Sequence, residues 1–518
     1  MNGFVKQSVA VVATSILAFA GMTAAVAAGP TVQGAGSTWS QIAVDQWRAD
    51  VKTKLGLNVN FTGNGSSAGR ALYVAGKVDF AVTEIPFSKE GEPGVVAGQS
   101  EVKALNDASK TYQYFPIVAG GTALMYNLLD ATGKRITNLQ LSPSTLAKIF
   151  TGKIKNWNDP AITADNGGRA LPSRAVVPVY RSDGSGTSAQ FTAYLALQQG
   201  SIWSPFAKAN GIPSSAGTSN FPNVPGFVGQ SGSDGVANYV ANKSTGVGAI
   251  GYLETGYAVQ RGFPVAAIRN KSGKYTLPTP ENVSIALQAA RLNSDNTQIL
   301  TGVYNNADPT AYPISSYSYM VTPKGSGLPA DKGQILSKFV KYFACDGQQK
   351  ASVLGYAPLP PTLVQVVFSA IQNIPGHIDV PAKPTASNCN NPTFQGKIGS
   401  NANSAGTSTG GSSGGTGGSS GGTGGTGTGA SGSGTTTIDG SGTTDGTGLT
   451  GDGGTVGNGE AGLQAVNLNV SPQGSSVALP AIIVLLVAIG PAVGLLMYRR
   501  FANGQGIRKW KFKNGNNG

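Results

Sequence analysis

The stretch RSDGSGTS, residues 181–188, joins a short apolar segment to an amphipathic one. The apolar segment, residues 175–180, predicts a buried strand, and Phe191, Tyr194 and Leu195 follow the loop at the spacing of one helix face. The loop is therefore expected to open a helix. The free N–H groups at such a helix start, together with the positive end of the helix dipole, form a site for an anion.

The composition of this loop suits an oxyanion. Gly186 lets the backbone approach a ligand closely, and the hydroxyls of Ser185 and Thr187 add hydrogen-bond donors. Arg181 adds a fixed charge that can bind an oxyanion through two parallel hydrogen bonds, and Asp183 is close enough in sequence to hold that side chain in place. The plainer interpretation is a strand–turn–helix connection with an ordinary N-cap.

Two further Gly/Ser loops precede helical patterns, GAGST at residues 34–38 and GNGSSAG at residues 63–69. One such loop is weak evidence, because glycine-rich loops are common. Three of them, one carrying an arginine, indicate helix N-termini that converge on a small dehydrated anion.

Strands and helices alternate along the body of the chain, which predicts an α/β fold with parallel pairing and ligand loops at the carboxyl ends of the strands. One predicted strand, residues 114–119, leads into a compact α/β segment, and another, residues 311–321, leads back from it. This arrangement predicts two lobes joined by two strands, with a cleft between them. The alternative is that the similar Pro-Ile pairs in the two strands are coincidental.

Several chemistries are not expected. The chain lacks the P-loop pattern for nucleotides, and one histidine with two cysteines argues against a multi-His or Cys-rich metal site. GSSAG, residues 65–69, matches the nucleophile elbow of hydrolases, but a triad through Ser67 would need His377 near the end of the body. The net charge of the whole chain is +13, but the body, residues 29–395, has no basic run interleaved with aromatics, so nucleic acid is not an expected partner. We therefore expect a binding protein without a cofactor, not an enzyme.

Residues 1–28 have the charged start, apolar centre and small-residue cleavage site of a secretory signal peptide. In an exported chain the two cysteines, Cys345 and Cys389, are expected to form one disulfide bond. Two free buried thiols are the alternative.

The C-terminal quarter of the chain differs sharply in composition. Residues 396–476 are rich in Gly, Ser and Thr and predict a disordered linker. Residues 477–497 are apolar and, as a helix of about 31 Å, predict one transmembrane span. The basic residues of 498–518 then place the C-terminus in the cytoplasm and the body outside the cell membrane. The alternative for residues 477–497 is a buried core helix.

On several of these motifs, in collinear order over about residues 31–373, the chain resembles the phosphate-binding proteins of bacterial ABC phosphate importers, the PstS family. The motifs are GAGST (34–38), GSS (65–67), VDF (78–80), GKIKNW (152–157), RSDGSGT (181–187) and GAIGY (248–252). The resemblance implies a two-lobed periplasmic-binding-protein clamshell of class II that closes on one phosphate. Residues 29–116 and 312–395 would form lobe I, and residues 117–311 lobe II.

The resemblance also implies a set of ligand contacts and one orienting residue, Asp183, beside the arginine. The contacts come from side chains and from two backbone N–H groups. They are Thr38, the Trp39 N–H, Ser66, Arg181, Ser185, the Gly186 N–H and Thr187.

Glu84 is a departure from the family, which usually has an aspartate after the matching strand. At neutral pH phosphate still carries a proton, whereas sulfate does not, so a buried carboxylate accepts a hydrogen bond from the first and repels the second. Glu84 keeps this acceptor but is one methylene longer, so the geometry of the cleft must adjust.

The expected function is that of a monomeric, membrane-anchored receptor that captures inorganic phosphate and delivers it to ABC permease subunits. Two alternatives stay open. The same fold could bind another oxyanion, such as sulfate, molybdate or arsenate, through the change at Glu84. The chain could also be a surface adhesion or signalling protein with a vestigial cleft.

Overall fold

The computed structural model describes residues 29–213 and 216–396 of the chain. The predicted signal peptide, the transmembrane span, the basic tail and all but the first residue of the predicted linker lie outside these residues. Within the described ranges, no helix combines the length and apolar character needed to cross a membrane.

The described residues alternate between strands and helices, as the sequence predicts. The strands are β1 (Thr31–Gly36), β2 (Asn58–Gly63), β3 (Phe80–Thr83), β4 (Tyr112–Tyr126), β5 (Gln140–Leu141), β6 (Val177–Arg181), β7 (Val228–Gln230), β8 (Ala249–Glu254), β9 (Ala267–Arg269), β10 (Tyr275–Thr276), β11 (Arg291–Leu292), β12 (Gln298–Ile299) and β13 (Ser315–Pro323).

The helices connect these strands and cover the sheet. They are α1 (Gln41–Leu55), α2 (Ser66–Val74), α3 (Glu101–Asp107), α4 (Pro143–Phe150), α5 (Pro160–Asp165), α6 (Gly186–Gln198), α7 (Gly200–Ala209), α8 (Gly232–Ala241), α9 (Thr255–Arg261), α10 (Pro280–Leu287), α11 (Thr301–Tyr304), α12 (Ala330–Ala344) and α13 (Pro361–Ile371). Short 3-10 helices span Asp346–Lys350, Ser352–Leu354 and Pro392–Gln395.

Eight strands form the main sheet, in the order β2-β1-β3-β13-β4-β8-β6-β7. The outer strands pair in parallel, since β1 lies between β2 and β3, and β6 lies between β8 and β7. The central strands β13 and β4 are antiparallel to each other and to their outer neighbours. The expected α/β fold with parallel pairing is confirmed, with an antiparallel pair at its centre.

Strand β4, near the centre of this sheet, pairs with a strand on each side. Its residues 112–121 pair with β13, and its residues 122–126 pair with β8. We call the part with β1, β2, β3 and β13 the first half, and the part with β6, β7 and β8 the second half. The chain therefore crosses from the first half to the second within β4, at the point where the strand changes its pairing partner. The lobe boundaries given above stay a prediction.

The sheet is buried on both faces because helices cover it. All four residues of β3 and all six of β8 are buried, as expected for strands between two helical layers. On one face Trp47 of α1 stacks on Phe343 of α12, with ring centroids 5.3 Å apart. This contact packs α1 against α12 on that face of the sheet.

A disulfide bond joins Cys345, at the end of α12, to Cys389. Both residues are buried, and beside them the Asn391 side chain donates to the carbonyl oxygen of Ala344 over 3.1 Å. The predicted pairing is therefore confirmed, and it ties the last described segment to the body.

Candidate functional site

The candidate site lies where the carboxyl ends of β1, β3 and β6 meet the N-termini of three helices. Ser37 and Thr38 follow β1, Glu84 follows β3, and Arg181 is the last residue of β6. The helices α2, α6 and α8 begin at this edge of the sheet. Such an edge gathers backbone N–H groups and strand-end side chains in one place, which is where open α/β sheets bind their ligands.

Arg181 and Asp183 form an ion pair with two hydrogen bonds. The guanidinium Nε lies 2.7 Å from Oδ1 and Nη2 lies 2.5 Å from Oδ2 of the carboxylate. The amide of Gly232 also donates to Oδ1, over 3.0 Å. Burial opposes ionisation of Asp183, but the hydrogen bonds and charge of Arg181 and the Gly232 amide outweigh it and lower its pKa.

The remaining guanidinium nitrogen of Arg181 faces hydroxyl groups. Nη1 lies 3.3 Å from Oγ1 of Thr187 and 3.2 Å from Oγ of Ser233. Arg181 is 1% exposed, so its charge is almost completely withdrawn from water. A buried arginine that has one carboxylate partner and a face towards hydroxyls is suited to bind a second, dehydrated anion.

Ser233 links the two halves of the site and was not among the sequence-predicted residues. Its amide donates to Oγ1 of Thr38 over 3.1 Å, and its hydroxyl lies 3.2 Å from the same atom. The signal in the sequence is SGSDG, residues 231–235, a fourth Gly/Ser loop that opens α8. Thr38 in the first half is thereby connected to Arg181 in the second.

Glu84 is the centre of a second cluster, in the first half. Its carboxylate accepts hydrogen bonds from the hydroxyls of Ser37 over 2.5 Å, of Ser66 over 2.7 Å, and of Ser318. All four side chains are buried. Ser37 belongs to the predicted loop GAGST, but Ser318 lies within β13 and no sequence pattern distinguishes it.

The two halves touch at this site. The amide of Gly186 donates to the Ser66 hydroxyl over 3.1 Å, and the amide of Ser67 donates to the carbonyl oxygen of Gly184 over 3.1 Å. The side chain of Gln190 donates to the backbone oxygen of Glu84 over 2.8 Å. The N-terminus of α6 therefore faces the N-terminus of α2 across this contact.

Glycine is required where residue 65 passes the ion pair of Arg181 and Asp183. Gly65 has φ +93°, and a Cβ there would lie 2.5 Å from Oδ2 of Asp183. The backbone of one half therefore passes directly beside the ion pair of the other.

The other two predicted residues have contacts of their own. Ser185 is the N-cap of α6, and its hydroxyl accepts from the Ser188 amide over 3.1 Å. The Trp39 amide donates to the Ser37 hydroxyl over 3.0 Å, and its ring packs edge-on against Tyr356. The structure thus brings every predicted site residue to this one edge of the sheet.

The hydrolase alternative has no support in the geometry. The His377 ring lies 3.1 Å from the carbonyl oxygen of Ile374, and none of the hydrogen bonds found in the described residues connects it to Ser67. Within those residues, no group of three or more His, Cys, Asp or Glu side chains could hold a metal ion.

Comparison with known proteins places the chain among binding proteins. A family model described as a PBP superfamily domain matches residues 22–347. The phosphate-binding protein PstS of Xylella fastidiosa strain Temecula1 is 32% identical over 337 residues, covering 65% of this chain and 83% of the relative. PstS of Pasteurella multocida strain Pm70 is 30% identical over 339 residues, covering 65% of this chain and 88% of the relative. Both relatives are named as phosphate-binding proteins.

Solved structures share the fold at lower sequence identity. A high-affinity periplasmic phosphate-binding protein, PfluDING, bound with phosphate matches with a TM-score of 0.51 and 20% identity, covering 67% of this chain and 96% of its own. The phosphate-binding protein from Stenotrophomonas maltophilia matches with a TM-score of 0.50 and 18% identity, covering 67% and 97%. At these identities the likeness establishes the fold alone.

Proposed function

Since this chain belongs to the PstS family of phosphate-binding proteins, within the PBP superfamily, we propose that it binds inorganic phosphate and delivers it to an ABC-type importer. It performs no chemistry on the ligand. The protein captures the anion outside the cytoplasm and releases it to permease subunits in the membrane.

The single observation that carries this proposal is the buried Arg181 at the meeting point of the helix N-termini. Its charge is fixed by Asp183 and its free face points at hydroxyls. A dehydrated tetrahedral anion needs such a set of donors, because it leaves its hydration shell when the cleft closes.

Phosphate would take its donors from both halves. We assign Thr38, the Trp39 N–H and Ser66 to one side, and Arg181 and Asp183 to the other as contact and orienting residue. The N-terminus of α6 supplies the remaining donors, which are Ser185, the Gly186 N–H and Thr187. Glu84 would accept the proton that phosphate carries and sulfate lacks, which makes it the residue that discriminates between them.

The anchor and the partner are further parts of the proposal. The apolar residues 477–497 would hold the protein in the cell membrane as a single span, with the body outside and residues 498–518 in the cytoplasm. The Gly/Ser/Thr-rich residues 396–476 would serve as a tether that lets a monomeric body reach the permease.

Titration calorimetry of the full-length protein with phosphate, sulfate and arsenate tests the binding function. We expect phosphate to bind tightly and sulfate to give no heat of binding. A protein that ignores all three anions would be a surface protein with a vestigial cleft, and the proposal would fail.

Another oxyanion is a second candidate ligand because of one observation, the position of the Glu84 carboxylate beside the α6 N-terminus, where a Cβ on Gly186 would lie 2.0 Å from Oε2. The carboxylate limits the space and the charge that a ligand can bring to this helix end. Preference for sulfate or molybdate over phosphate in the same titration would establish this alternative.

A further inference from the structure

Tyr257 of α9, the helix that follows β8 in the second half, reaches the loop after β1 in the first half. Its hydroxyl donates to the carbonyl oxygen of Thr38 over 2.5 Å. The amide of Gln41 also donates to this oxygen, over a longer distance of 3.4 Å. Tyr257 is 3% exposed, and burial raises the pKa of its hydroxyl above the ordinary value, so the group stays a donor at neutral pH.

The carbonyl that Tyr257 holds belongs to the same peptide unit as the Trp39 N–H, one of the donors assigned to phosphate. A peptide unit is planar, so a partner that holds its oxygen also sets the direction of its N–H. The same unit directly follows the side chain of Thr38, whose hydroxyl is the second donor assigned to this loop. The hydrogen bond from Tyr257 therefore acts on both donors.

We propose that Tyr257 is a positioning residue of the phosphate site, which holds the peptide between Thr38 and Trp39 in the orientation that presents its donors. The inference rests on the proposed function, because it concerns the same site. It adds that donors of the first half are oriented by a side chain of the second half, which acts through the backbone of the loop.

The segment that carries Tyr257 is itself held by two hydrogen bonds. Glu254 is the N-cap of α9, and its Oε2 accepts from the amide of Gly256 over 2.6 Å. The hydroxyl of Thr255 donates over 3.1 Å to the carbonyl oxygen of Gly121, the last residue of β4 that pairs with β13. The start of α9 is thereby fixed at the point where β4 changes its pairing partner.

Backbone packing at Gly256 adds a third contact, with the segment that follows α12. A Cβ on Gly256 would lie 2.2 Å from the carbonyl oxygen of Leu354, and a Cβ on Gly355 would lie 2.6 Å from the Cα of Gly256. Gly355 has φ +93°, a conformation that glycine adopts readily. The start of α9 therefore fits closely against this segment, one residue before Tyr257.

Tyr356 makes a similar contact one residue further along the same loop. Its hydroxyl donates to the carbonyl oxygen of Trp39 over 2.6 Å, and its side chain is also buried. This carbonyl belongs to the next peptide unit, whose N–H is not among the donors assigned to phosphate. The two tyrosines thus offer a comparison between holding the loop and orienting the peptide that carries a donor.

Titration of Tyr257→Phe with phosphate tests the inference, because the change removes the hydroxyl and keeps the ring. We expect phosphate to bind about tenfold more weakly, the loss that follows when the donors of this loop are no longer held in direction. Tyr356→Phe is the matched control, since it removes a similar hydrogen bond from the next peptide, and it should cost less than about threefold. Equal losses in the two variants, or no loss in Tyr257→Phe, would overturn the inference.

A double-mutant cycle shows whether Tyr257 acts through Thr38. In a Thr38→Ala background one of the two donors is absent, so we expect Tyr257→Phe to weaken phosphate binding by only about threefold. In a Thr187→Ala background, which removes a hydroxyl of α6 instead, the loss should stay about tenfold. The same loss in both backgrounds would mean that Tyr257 does not act through this loop, and the inference would fail.

Amide hydrogen exchange without phosphate tests the inference independently of binding. The Trp39 amide donates to the Ser37 hydroxyl over 3.0 Å. The Ser188 amide makes a similar bond to the hydroxyl of Ser185 and serves as the control. In Tyr257→Phe we expect the Trp39 amide to exchange about tenfold faster and the Ser188 amide to exchange as in wild type.

Unchanged exchange at Trp39 would contradict the positioning role, whatever the affinity for phosphate. A wild type that binds no phosphate would remove the proposed function, and the exchange at Trp39 would still decide whether Tyr257 holds this peptide. Failure of the inference and failure of the proposed function are therefore separate results.

Discussion

Arg181 and Asp183 are joined by two hydrogen bonds, from Nε to Oδ1 over 2.7 Å and from Nη2 to Oδ2 over 2.5 Å. The pair fixes the plane of the guanidinium, so that Nη1 is directed at Thr187 and Ser233. Asp183, two positions after the end of β6, therefore orients the principal positive charge of the proposed phosphate site.

Replacement of Asp183 tests this orienting role. Asp183→Asn keeps the shape of the side chain but removes the charge, and its amide nitrogen faces one of the guanidinium donors. We expect phosphate affinity to fall about tenfold or more by calorimetry, because the guanidinium loses its fixed plane. Asp107→Asn, at an exposed ion pair with Lys103, serves as the control and should leave the affinity unchanged. Wild-type affinity in Asp183→Asn would remove the orienting role.

Gly186 and Gly200 offer a matched pair of glycines, each the first residue of a helix. A Cβ on Gly186 would lie 2.0 Å from Oε2 of Glu84, whereas a Cβ on Gly200 has no neighbour within 4 Å. We expect Gly186→Ala to weaken phosphate binding about a hundredfold, because the cleft can no longer close, and Gly200→Ala to bind as wild type does. Similar affinities for the two variants would mean that phosphate does not approach the α6 N-terminus.

Ser233 is expected to contribute to phosphate binding because it connects Thr38 and Arg181. Ser233→Ala leaves Nη1 with Thr187 alone and removes one partner of Thr38. The expected result is a loss of phosphate affinity of about three- to tenfold, equivalent to one hydrogen bond. Ser231→Ala is the control, since Ser231 is exposed and makes no side-chain bond to the start of α8. Equal phosphate affinities of Ser233→Ala and Ser231→Ala would show that the Ser233 hydroxyl does not contribute to binding.

Glu254 gives a prediction about the pH dependence of stability. The side chain is fully buried, and burial raises its pKa well above its usual value although the Gly256 amide donates to it. The folded state therefore favours the neutral carboxyl. This contribution to stability is complete below the unfolded pKa, near 4.5, and is lost as the pH rises through the folded value.

Urea unfolding of Glu254→Gln between pH 5 and pH 8 measures this contribution. Because glutamine does not titrate, we expect the variant to gain about 1 kcal/mol or more in free energy of unfolding relative to wild type as the pH is raised. Glu92→Gln, at an exposed position, should follow the wild-type curve. Parallel curves for wild type and Glu254→Gln would show that Glu254 does not titrate differently on folding.

Local patterns in the sequence were enough to predict much of the fold and part of the site. The Gly/Ser loops before α1, α2 and α6 are local signals, since a helix start and its N-terminal donors depend on neighbouring residues. The contact between Arg181 and Asp183 is also local, because only one residue separates them. The disulfide bond could be predicted from two features of the sequence, the expected export of the chain and its two cysteines.

Contacts between distant segments could not be predicted in this way. Ser318 donates to Glu84 from 234 positions further along the chain, and only the order of strands in the sheet brings β13 beside β3. The pairing of β4 with both β13 and β8 also depends on that order. Ser233 did have a local signal, but its link to Thr38 depends on how the two halves pack against each other.

The crystal structure of the protein grown with phosphate tests the central claim most directly. We predict one tetrahedral anion within hydrogen-bond distance of the Arg181 guanidinium and the Gly186 amide. Phosphate bound elsewhere on the protein, or a cleft that excludes it while Arg181 and Asp183 stay paired, would contradict the account.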